Sequence, residues 1–149
     1  MRYTVLVLIL ALSSQVQANA AESVPSDRQF IPLNQVEKDY LIGEMHKNLG
    51  AIQAIIAALG QQDYQRAQQA AASRGMATFG ANDPNYPKTI SDKVPPTWKP
   101  LAKALRQGFD DVAKGISSHE EQAVILGRVS QVMNNCMTCH ASFRFLDQP

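Results

Sequence analysis

Two cysteines and a histidine, in the run Cys136-Met137-Thr138-Cys139-His140, are the residues of this chain best suited to chemistry. Thiols three positions apart share one face of a helix. From there they can form thioethers with the two vinyl groups along one edge of a haem. The histidine directly after the second cysteine is then carried under the iron, for which neutral imidazole is a good ligand. C-x-x-C-H is accordingly the attachment pattern of a covalently bound haem c. The competing chemistry is a redox dithiol or a structural disulfide. A thioredoxin-like C-x-x-C sits early in a strand–helix unit, whereas this one closes a helical chain. Both cysteines of the chain are spent in the motif, and a histidine follows at the required place.

The elements that must position this motif begin after a leader. Arg2, the apolar run Thr4 to Leu12 and Ala18-Asn19-Ala20 read as the three parts of an export signal with cleavage after Ala20. The expected mature chain is residues 21–149, one domain in the periplasm, with no membrane span once the leader is removed. An oxidising compartment suits covalent haem attachment and disulfides alike. The net charge of +1 gives no nucleic-acid footprint. Many alanines and glutamines, with few aromatics, favour helices.

Four helical segments are expected. Asn34 with Glu37 makes a capping pair for the first, whose apolar stripe runs Leu41, Met45, Leu49, Ile52, Ile56, Leu59 to Gly60. Asp63 opens a second over Tyr64 to Phe79. Gly80 to Pro96 reads as a connection, because four prolines remove helix donors. The third begins around Thr97 to Pro100 and carries Leu101, Leu105, Phe109, Val112 and Ile116. Ser118 with Glu121 reads as a second capping box before the fourth, which has Ile125, Val129, Val132, Cys136, His140 and Phe143 in register. The fold class expected is all-α, an antiparallel four-helix bundle with the haem near the C-terminal end of the last helix.

Cys136-Met137-Thr138-Cys139-His140-Ala141-Ser142-Phe143-Arg144 resembles the C-x-x-C-H-x-x-[YF]-R ending of the cytochrome c′ family. This is the class II group of c-type cytochromes, which includes low-spin, methionine-ligated relatives. The resemblance implies that Cys136 and Cys139 attach the haem, His140 is the proximal iron ligand and Phe143 packs on the haem. Arg144 would lie near the propionates; the plainer reading is a cation placed at a helix C-terminus. Met45, on the first helix, is the candidate distal ligand by the same resemblance, although a methionine on a helical stripe is more often core filler. His46 points about 100° away from Met45 and is expected at a boundary. Met76 is a weaker distal candidate from the second helix, Met133 and Met137 belong with the proximal side, and His119 is expected in solvent.

The function implied is a one-electron carrier serving redox partner proteins, and not an enzyme. The alternative is a five-coordinate haem that binds nitric oxide or carbon monoxide. Peroxidase-like chemistry ranks last, since the first helix offers only His46 as a polar distal group. Five-coordinate members of the family commonly carry an arginine where this chain has Leu41, so the distal-site details of that branch do not carry over. The family often pairs as homodimers through its first two helices, so a homodimer is an expectation by resemblance alone.

Overall fold

The computed structural model describes residues 27–145, and within them the chain is mostly helical. The leader and the cleavage site after Ala20 lie outside the described residues. A two-residue strand, β1 (Gln29–Phe30), precedes α1 (Gln35–Gly60) and α2 (Tyr64–Ala72). Two 3-10 turns, Met76–Thr78 and Gly80–Asn82, lead to the short α3 (Ile90–Lys93). Two long helices follow, α4 (Trp98–Ser117) and α5 (Gln122–Ser142), and β2 (Phe143–Arg144) comes after them. α1 packs on α2, α2 on α4 and α4 on α5, while α1 touches α5 only lightly.

The capping box forms as expected. Asn34 Oδ1 accepts the Glu37 N–H at 3.0 Å, and Glu37 Oε2 accepts the Asn34 N–H at 2.8 Å. The same carboxylate accepts from Thr89 at 2.6 Å and from Lys93 at 2.6 and 2.8 Å, which ties α3 to the start of α1. The second capping box does not form. His119 takes a left-handed conformation (φ 56°), Glu120 turns to Arg128, and α5 starts at Gln122 with no side-chain cap.

α2 stops at Ala72, well short of Phe79. The chain turns there because Gly75 lies against α4: a Cβ at that position would stand 1.8 Å from Asp110 Oδ1. The Asp110 carboxylate accepts the Met76 N–H at 3.0 Å in the space left. Met76 is therefore in a 3-10 turn and not on a helix. The 80–96 segment is more than a connection, since it contains α3, whose Ile90 is fully buried.

The buried face of α1 also differs from the expected stripe. Leu41, Ile52 and Leu59 are buried and Met45 is half-buried, but Leu49 and Ile56 are exposed. Glu44 and Asn48 take the inward positions instead. They go in because cations meet them there. Arg74 and Arg106 both donate to Glu44 Oε2, Arg106 at 2.7 Å, and Lys47 donates to Oε1 at 2.9 Å. Arg74 Nε also donates to Asn48 at 2.9 Å, and Arg106 to the Arg74 carbonyl at 3.2 Å. Beyond this ionic layer, Ala51, Ile55, Ala58, Ala67, Ala71, Phe109, Val112, Ile125, Val129 and Val132 close the main apolar core.

Burial pushes the Glu44 carboxyl up, but the hydrogen bonds from Lys47, Arg74 and Arg106 outweigh it and bring it down from 4.5 to about 2. Such a group stabilises the fold fully above pH 4.5, and the contribution is lost as pH falls toward 2. The melting temperature, followed by circular dichroism, is expected to fall through that window. Glu44→Gln leaves two buried guanidinium groups short of a counter-charge. It should cost about 3–5 kcal/mol in urea denaturation and flatten the acid limb.

Candidate functional site

The motif occupies the last turns of α5, where the helix meets β2. Cys136 and Cys139 are half-buried on the side that continues the buried line Ile125, Val129, Val132. The Cys136 thiol donates to the Val132 carbonyl at 3.6 Å, the usual outlet for a polar group on a helix face. Cys139 turns into a second apolar cluster made of Ile31, Leu33, Leu41, Ile90, Val94 and Phe143, with Trp98 and Leu101 against it. In this cluster the first turns of α1 come beside the motif.

His140, expected in line with the core, is exposed; Cys139 takes the inward place. One residue is about 100° of helix rotation, and the apolar cluster draws the thiol. Among the described residues the His140 imidazole makes no hydrogen bond, while its carbonyl accepts from Arg28 at 3.4 Å. Phe143 is buried beside Cys139, but it lies just past the helix in β2. Arg144 is likewise beyond the last helical turn, stacked 5.1 Å from the Phe30 ring centre.

β1 and β2 pair in parallel, Gln29 with Phe143 and Phe30 with Arg144. The pairing brings Arg28 to the motif. The Nε atoms of Arg28 and Arg144 are both buried without a hydrogen-bond partner among the described residues. Two guanidinium N–H donors without acceptors are costly unless an anion completes them. Arg28 had no signal in the sequence, because only strand pairing across the whole described chain carries it here.

The thiols are poor nucleophiles. Burial pushes Cys136 up, and burial followed by the charge of Cys136 pushes Cys139 from 9.0 to about 11. A dithiol redox centre needs the opposite, a thiol lowered at a helix N-terminus or beside a cation. Nor do the motif residues converge as a protein-only metal cage: no three His, Cys, Asp or Glu side chains gather among the described residues.

Met45 is half-buried one turn after Leu41 and belongs to neither apolar cluster. His119 is exposed, as expected; His46, expected at a boundary, is exposed too, and so are Met133 and Met137. No helix among the described residues is long and apolar enough to cross a membrane. In comparisons with protein-family models, curated proteins and solved structures, none matches the chain.

A rise from 9.0 to about 11 lowers the thiolate fraction at neutral pH about a hundredfold. In reduced chain lacking covalent haem, Cys139 should therefore react with iodoacetamide more slowly than an unshifted thiol, by about tenfold or more, the greater nucleophilicity of its thiolate offsetting part of the loss. Peptide mass spectrometry over a time course measures it. A rate at or above that of a free cysteine would point to thiol–disulfide chemistry.

Proposed function

We propose that this chain is an exported monohaem c-type cytochrome that carries single electrons, its four longer helices forming a bundle of the cytochrome c′ class. The observation that carries the reading is the C-x-x-C-H run on the last turns of α5, with Cys139 against an apolar cluster and two orphaned arginine N–H donors beside it. An apolar wall and unmet cationic donors suit a flat apolar macrocycle that bears carboxylates at one edge.

Cys136 and Cys139 would hold the haem by thioethers, and His140, whose imidazole has no other hydrogen bond among the described residues, would hold the iron. When bound, the haem supplies one-electron cycling between ferric and ferrous iron. Arg28 and Arg144 would offer their buried Nε–H groups to the propionates. Leu41 and Phe143 would keep water from the apolar face. High thiol pKa values fit this reading, since these thiols would be modified once rather than cycled.

Met45 is the proposed distal ligand. Its place outside both packed clusters, one turn from Leu41, is what a side chain kept for a ligand would have. The same place supports the second reading, in which Met45 stays away from the iron and the haem binds nitric oxide or carbon monoxide. Leu49 and Ile56 on α1 and Tyr64 on α2 expose apolar surface, which supports pairing of two copies through the first two helices.

Serine at both Cys136 and Cys139 should leave no haem that survives acid–acetone extraction; haem retained by that variant would overturn the reading. The resting spectrum of the intact protein then separates carrier from gas binder. A low-spin spectrum with a sulfur-to-iron charge-transfer band is expected of the carrier. Met45→Leu, nearly isosteric, should turn it high-spin and open the iron to carbon monoxide. A wild-type spectrum that is already high-spin assigns the gas-binding function instead.

A further inference from the structure

A cavity of about 540 Å³ has no motif residue in its lining, although it shares Tyr86, Val94 and Trp98 with the Cys139 cluster. Three aromatic rings line it from three separate segments: Phe79 between the 3-10 turns, Tyr86 before α3, and Trp98 at the start of α4. Each ring is held in place. Tyr86 stands edge-on to Tyr40, with ring centres 5.7 Å apart, and bonds Ser91 at 3.0 Å. Phe79 lies under the Arg106 guanidinium at 5.6 Å, and Trp98 packs in the same cluster as Val94 and Cys139. Tyr40 and Arg106 hold two of the walls from outside the cavity, as in a preformed small-molecule site.

The rim is cationic. Lys88, Lys99 and Lys103 line the cavity, all three are exposed, and none has a carboxylate within salt-bridge distance among the described residues. Lys99 and Lys103 stand one turn apart on α4, so they flank the same edge. One carboxylate, Asp83, is in the lining, but it is engaged by the Tyr40 hydroxyl at 2.7 Å and the Asn85 N–H at 2.9 Å. Aromatic walls select a flat apolar body, and an excess of lysine at the mouth selects negative charge. The volume lies in the range of small-molecule sites and leaves room for two or three fused rings.

We infer that this cavity is a binding site for a small anionic aromatic molecule, such as a fused-ring carboxylate or sulfonate, with its rings among Phe79, Tyr86 and Trp98 and its anion at Lys99 and Lys103. The site is independent of haem attachment, so loss of the cytochrome reading would leave it standing.

Isothermal titration calorimetry on the full chain with three matched probes tests it. 2-Naphthoate should bind saturably, neutral 2-naphthamide about tenfold or more weaker, and cationic 2-naphthylmethylammonium not detectably. A tenfold ratio corresponds to about 1.4 kcal/mol. The exposed double substitution Lys99→Gln/Lys103→Gln, which touches no core residue, should weaken naphthoate about tenfold and leave naphthamide unchanged. Three results would each overturn the inference: no naphthoate binding at millimolar concentration, equal affinity for naphthoate and naphthamide, or an unchanged naphthoate affinity in the double variant.

Discussion

The buried carboxylate of Glu44, shared between Arg74 and Arg106, is the constraint around which this fold is arranged. A charge taken out of water is costly unless its partners come with it. Here the partners arrive from different places in the chain: Arg74 from just past the end of α2, Arg106 from the middle of α4. α1 must therefore stand at one rotation about its own axis, with Glu44 and Asn48 inward. That rotation turns Leu41 toward Cys139 and leaves Leu49 and Ile56 in solvent. Arg106 also stacks over Phe79, so the same guanidinium that neutralises Glu44 steadies one wall of the aromatic cavity. Glycine at position 75 is the companion requirement, because a side chain there would displace Asp110 from the turn that presents Arg74.

Around that layer the molecule divides its apolar material in two. The alanine- and isoleucine-rich cluster between α1, α2, α4 and α5 holds the helices together. The other cluster is aromatic-rich, gathers residues from the lead segment, the start of α1, α3 and β2, and has Cys139 packed against it. One gives mechanical coherence, and the other makes the environment of the motif. Glu37 ties parts of the second cluster together, since it caps α1 and anchors Lys93 of α3 through one carboxylate.

Much of this was legible in the order of residues. The start and end of α1, the range of α4 and the position of the C-x-x-C-H run on a terminal helix followed from caps, prolines and periodicity. The failures share a cause. A stripe judged by hydrophobicity alone favoured Met45, Leu49 and Ile56, because nothing local marks Glu44 and Asn48 as buried. Their partners lie 26 to 62 positions away. The stop of α2 at Ala72 was hidden for the same reason, since it depends on how closely Gly75 meets α4. Ser118 and Glu121 match a capping pattern, yet Glu120 has a better use in its pair of bonds to Arg128, at 2.7 and 2.8 Å. At the motif, the inward side of Cys136 was visible in the spacing, whereas Arg28 and its unmet donor were not.

The two-residue parallel ladder between β1 and β2 sets an order in time. It joins the beginning of the described chain to its end, so nearly everything between is the loop that it closes. Contacts of that span form late, after the local helices have made most of theirs. Once it closes, Ile31 and Phe143 are sealed into the aromatic cluster and Arg28 reaches the His140 carbonyl. In the closed ladder the lead segment thus acts as a latch beside the motif.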